Sequence, residues 1–152
     1  MNELLVTLNT HEALAGILPH GKNLVMIEKI LSLEASRAKC KVQIPLLRSF
    51  SPDDVGNVSS LVAIEIIAQV ASIGKAIEWK KTEPEKTQPK TGMVIKLRNF
   101  NFISPTIDTT QSIFCEASWT NTNFSVFDIK GKLFYENNPE NMIAEGSLLL
   151  VT

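Results

Sequence analysis

The sequence SLVAIEIIAQVASIG, residues 60–74, has the composition of a helix that is buried on nearly every side. It nevertheless carries Glu65 and Gln69. A helix advances about 100° per residue, so Glu65, Gln69 and Ser72 form one polar seam on an otherwise apolar cylinder. Burial of an unpaired carboxylate is costly. Glu65 is therefore either satisfied by a structural partner or kept for chemistry, and we expect it to face a pocket.

Composition indicates a globular protein with one domain over residues 1–152. Hydrophobic residues make up 44% of the chain and charged residues 20%, as in proteins with a true core. The net charge of −1 and the scattered Lys and Arg residues give no basic field for nucleic acid. The N-terminus lacks the features of a targeting segment, and the longest apolar run is too short to span a bilayer. We expect a cytoplasmic protein that binds no nucleic acid and has no membrane span.

The two cysteines offer no evident chemistry. Cys40 and Cys115 lie in alternating, strand-like segments without a CxxC motif or a neighbouring His. Such residues are more often small core side chains than ligands or nucleophiles. We predict no metal site and no cofactor.

The first half of the chain predicts a short helix, two strands and the long helix. THEALAGIL is a helix with Thr10 as its N-cap, and it ends at Gly16 or Pro19. LVMIEKILSL is a strand, and RAKCKVQI alternates strictly between apolar and polar residues, as a half-buried antiparallel strand does. PLLRSFSPDDVGNV is predicted to be irregular. The long helix then spans about Ser59 to Lys81, and the polar loop TEPEKTQPK follows it.

The second half of the chain predicts only strands. GMVIKLRNFNF, QSIFCEASW, FSVFDIKGKLFYE and MIAEGSLLLV are rich in β-branched and aromatic residues, and TNTN and NNPEN separate them as hairpin loops. The predicted architecture is α+β: a strand pair, one long apolar helix, and four antiparallel strands that curl around that helix.

This order of elements is that of the hot-dog fold, and three motifs resemble the 3-hydroxyacyl-acyl-carrier-protein dehydratases. ILPHGKNLVMIEKILSLE resembles their opening segment, VSSLVAIEIIAQVAS their catalytic helix, and FNFISPTIDTTQ more weakly a later strand. Within the hot-dog group, the chain most resembles the predicted dehydratases of aryl-polyene lipid synthesis. The matching residues of the opening segment are Leu18, Pro19, His20, Met26, Ile27 and Glu28.

The resemblance implies a catalytic pair, one member of which is replaced. Glu65 takes the position of the family's catalytic acid, whereas the loop that carries the family's His reads LRSFSPDDVGN, with Ser49 or a neighbour in its place. Dehydration needs a base for the α-proton and an acid for the leaving hydroxyl. His20 is the candidate base because it lies in the resembling Leu-Pro-His segment, whereas His11 lies in a predicted surface helix. The alternative is that His20 only shapes the pocket.

Three residues are predicted to contact or support the substrate. Gln69 orients Glu65 or packs beneath it. Ser60, with Ser59, is an N-cap candidate at a helix start whose N–H groups can bind a thioester carbonyl. Arg98 is a candidate for the phosphate of a pantetheine arm or for an acidic carrier protein, and its alternative is a solvated strand charge.

The resemblance implies a dehydratase-like protein that acts on acyl thioesters held by an acyl carrier protein, in fatty-acid or aryl-polyene lipid synthesis. The apolar half of the long helix would line the acyl tunnel. Hot-dog subunits pair edge to edge with the site at the interface, so a homodimer or a heterodimer with another hot-dog subunit is expected. Two alternatives stay open: a non-catalytic subunit that supports an active partner, and a thioesterase in which Glu65 activates water.

Overall fold

A helix of 21 residues, Val62–Thr82 (α3), forms the centre of the molecule. The computed structural model describes residues 9–18, 21–53, 56–85, 92–123 and 125–151. Ten residues of α3 are buried, and they occur in every turn from Ala63 to Ile77. A helix that is apolar on so many sides must be covered by other elements, and removal of this surface from water is the main term that holds it in place.

The covering element is a large antiparallel sheet. The described residues form eight strands: β1 Ile27–Glu34, β2 Arg37–Val42, β3 Asn57–Ser59, β4 Met93–Phe102, β5 Thr106–Asp108, β6 Ile113–Asn121, β7 Val126–Tyr135 and β8 Met142–Val151. Six of them form one open sheet in the order β1-β2-β6-β7-β8-β4, and β3 pairs separately with β5. α3 lies against β6, β2 and β7. The predicted α+β architecture is confirmed.

The most regular predicted strand is also confirmed. In β2, Ala38, Cys40 and Val42 are buried, whereas Arg37, Lys39 and Lys41 are not. Successive side chains of a strand point to opposite faces, so the apolar set of β2 faces α3. The same alternation in β6 buries Ile113, Cys115, Ala117 and Trp119.

The segment between β2 and α3 is more ordered than predicted. It contains a five-residue helix, Ile44–Arg48 (α2), and the short strand β3. Pro45 lies in the first turn of α2, where a missing N–H costs little. Ile44 therefore begins a helix instead of ending β2. The prediction of an irregular segment is wrong here because a helix of one turn and a strand of three residues are too short to show a period.

Glycines allow α3 to approach the sheet closely. A Cβ atom on Gly74 would collide with the Trp119 ring, and one on Gly131 would collide with the Ile67 side chain. The indole N–H of Trp119 also donates to Glu78 at 3.1 Å, which fixes the ring against the helix. Small residues at these two positions thus set the distance between helix and sheet.

The N-terminal helix, His11–Ala15 (α1), forms as predicted. Thr10 is its N-cap and accepts a hydrogen bond from the Ala13 N–H at 3.2 Å, and the helix ends at Gly16. The His11 ring joins it to the rest of the chain, with Nδ1 at 3.0 Å from the Ile27 carbonyl. Within the described residues, no helix is long and apolar enough to cross a membrane.

Candidate active site

Glu65 and Gln69 lie one turn apart on α3 and contact each other. The Gln69 Nε2 donates a hydrogen bond to the Glu65 Oε1 at 2.8 Å. Glu65 is half-buried and lies in the first helical turn, where the helix dipole favours a negative charge. The helical spacing therefore produces the polar pair that the sequence predicts.

Gln69 is fixed by the backbone of the segment that precedes β1. Its Oε1 accepts from the Met26 N–H at 2.8 Å, and its Nε2 donates to the Leu24 carbonyl at 2.9 Å. A flipped amide would place N–H against N–H and oxygen against oxygen, so these two bonds decide its orientation. The side chain is only 1% exposed. Gln69 therefore presents a donor to Glu65 from a rigid position.

The start of α3 differs from the prediction. The N-cap position is Leu61, and no side chain caps the helix, so the prediction that Ser59 or Ser60 is the N-cap is wrong. Ser60 is buried; its hydroxyl donates to the Ser104 carbonyl and its N–H to the Pro105 carbonyl. Both groups hold the helix start against the loop before β5. Ser60 itself has no spare N–H to offer a substrate.

The segment that would carry the family's loop His is held by other contacts. Ser49 is exposed at the end of α2, and its hydroxyl donates to the Leu46 carbonyl at 2.6 Å. The neighbouring Arg48 donates to the hydroxyl and the carbonyl of Thr109, at 3.2 and 3.0 Å. In this chain the Ser49 side chain thus hydrogen-bonds to a carbonyl at the C-terminal end of α2.

The two remaining predicted site residues are His20 and Arg98. His20 and its neighbour Pro19 lie outside the described residues. Arg98 lies on the face of the sheet that points away from α3, and its Nη1 is 3.4 Å from the Asp128 carboxylate. This placement matches the alternative for Arg98, a strand charge with a local ion-pair partner.

A groove that described residues line is also remote from Glu65. It has a volume of about 410 Å³ and lies on the face of the sheet opposite α3, with neither Glu65 nor Gln69 in its wall. The expected pocket at Glu65 is therefore not this cavity. That Glu65 faces a pocket stays a prediction.

Comparison with known families agrees with the geometry of α3. A family model described as ApeP-like, ApeP dehydratase, matches residues 12–151. The chain belongs to the ApeP-like dehydratase family. The resemblance seen in the sequence is thereby confirmed, and a search of curated proteins gave no significant match.

Solved structures show the same fold for this ApeP-like chain. The dehydratase heterocomplex ApeI:P from Xenorhabdus doucetiae superimposes with a TM-score of 0.78 at 17% identity, covering 91% of this chain and 90% of that chain. Zebra fish thioesterase superfamily member 2 gives 0.64 at 14% identity, covering 95% of both chains. An HP0420 homologue from Helicobacter felis gives 0.61 at 16% identity, covering 90% and 86%. The fold of the ApeP-like chain is a hot-dog fold.

The cysteines of the ApeP-like chain are core residues, as predicted. Cys40 and Cys115 face each other across β2 and β6, and both are fully buried. Burial raises the pKa of Cys40 to about 12 and raises that of Cys115 well above its usual value. Neither thiol forms a thiolate at neutral pH, so neither serves as a nucleophile.

An apolar edge was not identified from the sequence. β4 is an edge strand of the sheet, and it exposes Met93 (67%), Ile95 (54%) and Leu97 (43%). An exposed apolar edge strand is a site for pairing with another chain. The available signal was the presence of three large apolar residues within five positions of one strand. A register irregularity between Val94 and Lys96 turns Met93 and Leu97 to opposite faces of the sheet, so their alternation in the sequence does not form one apolar side.

Proposed function

We propose that this ApeP-like protein takes part in the dehydration of 3-hydroxyacyl thioesters, with Glu65 as the proton-transferring carboxyl. The observation that carries the proposal is the Glu65 and Gln69 pair, because the buried amide is fixed by two backbone bonds and directs the carboxyl. Pre-orientation of this kind is what an acid or base in catalysis requires. A carboxylate retained only for solubility needs no such support.

Dehydration requires two proton-transferring groups, a base and an acid. A base removes the α-proton, the electron pair of the C–H bond forms the C=C bond, and the C–O bond to the 3-hydroxyl breaks. An acid protonates that hydroxyl as it leaves, so that one water is released. Glu65 acts as the acid in this scheme. Negative charge on the thioester carbonyl would be stabilised at the start of α3 by the Val62 N–H, because the N–H groups on either side of it already donate within the chain.

His20 is the candidate base within the chain. It precedes Leu24 by four residues, and four residues of chain span at most about 14 Å. Leu24 in turn is bonded to Gln69. His20 is therefore within reach of Glu65 by chain length alone, and its role in catalysis stays a proposal.

The partner is proposed to be another hot-dog subunit, paired through β4. The support is the set of exposed apolar residues on the edge strand β4 in this chain, together with the heterocomplex described for the ApeI:P structure. Edge-to-edge pairing would place side chains of the partner beside Met93, Ile95 and Leu97. A partner with its own base would then make this chain the supporting or complementary subunit.

The substrate carrier is proposed to be an acyl carrier protein, in fatty-acid or aryl-polyene lipid synthesis. The test is the identity of the product when a 3-hydroxyacyl carrier protein is incubated with the protein, alone and with a co-encoded hot-dog partner. Mass spectrometry of the carrier arm should show loss of one water with the acyl group still attached. Release of the free thiol with the intact hydroxy acid would instead identify a thioesterase and would contradict the dehydratase proposal.

A further inference from the structure

The cavity on the outer face of the sheet is a groove with a backbone floor. Gly131 and Gly146 pair across β7 and β8 and form part of that floor. A Cβ atom on either would point inward, into Ile67 or into Phe100. The sheet can therefore lie close to the side chains beneath it at this point. The outer face has a matching depression of about 410 Å³.

One row of side chains runs along this groove and continues in register beyond it to β4. The row itself contains no carboxylate, and Arg98 at its far end lies 3.4 Å from the Asp128 carboxylate of a neighbouring row. The register aligns residues of β2, β6, β7, β8 and β4, in that order across the sheet. Three of the five are cations and two are hydroxyl donors, and all can donate hydrogen bonds to an anion. The row consists of Arg37, Ser118, Lys130, Ser147 and Arg98.

The neighbouring row shows what an ordinary solvated sheet face looks like. It alternates in sign and so neutralises itself, as Lys39, Glu116, Lys132, Glu145 and Asn101. Cross-strand pairs of opposite charge are the common arrangement on an exposed sheet. The cation and serine row departs from this pattern on the same face of the same strands.

Glu116 holds the near end of the row in place. Its carboxylate lies 3.0 Å from the Arg37 guanidinium and 3.3 Å from the Lys132 ammonium, and its side chain is 12% exposed. Burial alone would raise the pKa of Glu116, but the hydrogen bond from Arg37 and the charge of Lys132 outweigh it and hold the pKa below its usual value. Arg37 remains 59% exposed, so its other N–H groups can meet a further acceptor.

The three cations have a regular spacing. Neighbouring strands lie about 4.8 Å apart, so Arg37, Lys130 and Arg98, each two strands from the next, are about 10 Å apart. Two turns of an α-helix advance about 10.5 Å. Carboxylates at every seventh position of a helix therefore match the row.

We propose that this groove and the adjoining face of β4 bind an acidic helix of a partner protein, with carboxylates two turns apart facing Arg37, Lys130 and Arg98. Arg98 is 44% exposed, so the N–H groups that do not face Asp128 can meet the third carboxylate. Ser118 and Ser147 lie between the cations and donate to acceptors on the same helix. The face is opposite the one that carries Glu65, so the partner is held for assembly and is not turned over there. The inference does not depend on the proposed dehydratase activity.

The test is a titration of the isotope-labelled protein with a synthetic helical peptide that carries three glutamates at seven-residue intervals, followed by amide NMR shifts. We expect shifts confined to the strands of the groove. An isomer with five-residue intervals, which points its glutamates to different sides, should bind about tenfold more weakly. Lys130→Gln should weaken binding of the first peptide about three- to fivefold, whereas Lys81→Gln, at the exposed end of α3, should leave it unchanged.

Several outcomes would overturn the proposal. Equal affinity for the two isomers would show that the spacing of the glutamates does not matter. Unchanged affinity in the Lys130→Gln variant would show that the row of cations does not bind the peptide. Inorganic phosphate that causes the same shifts at the same concentration would identify a small-anion site instead. Shifts that depend only on the protein's own concentration would identify a second copy of the chain as the occupant.

Discussion

Gln69 bonds to the backbone of one segment and to a carboxyl on its own helix, so a single side chain joins the fold to the site. Its amide satisfies the buried Met26 N–H and the Leu24 carbonyl and still donates to Glu65. A buried donor that loses its acceptor costs the full desolvation of that group. Gln69 should therefore matter for stability as well as for the orientation of Glu65.

Replacement of Gln69 by Leu should lower the free energy of unfolding by about 2–3 kcal/mol, because the Met26 N–H would be left buried without an acceptor. The matched control is Ser72→Ala, one turn further along the same seam, which should change stability by less than about 0.5 kcal/mol. Urea denaturation measures both variants. Equal free energies of unfolding for the two variants would show that the hydrogen bonds of Gln69 make no net contribution to stability.

At this scale the sequence predicts the helical pair and not its anchor. Glu65 and Gln69 are four residues apart on a helix, so their contact follows from helical geometry. The anchor lies 43 residues away along the chain, at Met26, and consists of a backbone N–H. Every residue but proline has such a group, so no residue type marks the one that Gln69 will meet.

At the scale of helices and strands, α3 packs against β6 at a point where α3 carries a glycine. The Trp119 ring occupies the space beside Gly74, and its indole N–H donates to Glu78 one turn further along. Glu78 also accepts from the Ser36 N–H at 2.6 Å, which ties the β1–β2 turn to the same point. The end of the long helix is thus fixed to two parts of the sheet.

Gly74→Ala should destabilise the protein by about 1–3 kcal/mol, since its methyl group would collide with the Trp119 ring, and displacement of a packed ring is costly. Gly21→Ala is the control, because nothing lies within 4 Å of its Cβ position and its φ of −60° suits alanine. Thermal unfolding followed by circular dichroism should separate the two. A Gly74→Ala variant as stable as Gly21→Ala would contradict this account of how α3 meets the sheet.

Long elements could be predicted from the sequence and short ones could not. α3 and the strands from β6 to β8 have enough residues to show a helical or an alternating pattern. α2, β3 and β5 have five, three and three residues. They form because the chain between β2 and α3 lies against the loop before β6, as the Arg48 bonds to Thr109 illustrate.

For the whole molecule, the two edges of the sheet differ in a way that predicts assembly. β4 exposes three large apolar residues, whereas β1, at the other edge, exposes only Leu31 beside the polar residues Lys29, Ser32 and Glu34. Apolar residues on an unpaired edge strand invite pairing with another chain. The order of strands, which decides which segment becomes an edge, is a property of the whole fold and cannot be derived from the local pattern of β4.

Ile95→Lys should weaken subunit association by about tenfold or more, because it places a charge at the centre of the proposed interface. Leu31→Lys, at the opposite edge, is the matched control and should leave association unchanged. Sedimentation velocity over a range of concentrations, with the protein alone and with a hot-dog partner, gives the comparison. If both variants associate like the wild type, pairing does not involve β4.

The dehydration rate of the Glu65→Gln variant tests the central claim most directly. The substitution keeps the volume and the hydrogen-bonding capacity of the side chain but removes its ability to transfer a proton, so the fold should be retained. Conversion of a 3-hydroxyacyl carrier protein to the 2-enoyl form, measured by mass spectrometry with the partner subunit present, should fall by a factor of about 10² to 10⁴. Wild-type turnover in the Glu65→Gln variant would contradict the account, because the carboxyl that Gln69 holds would then have no part in the reaction.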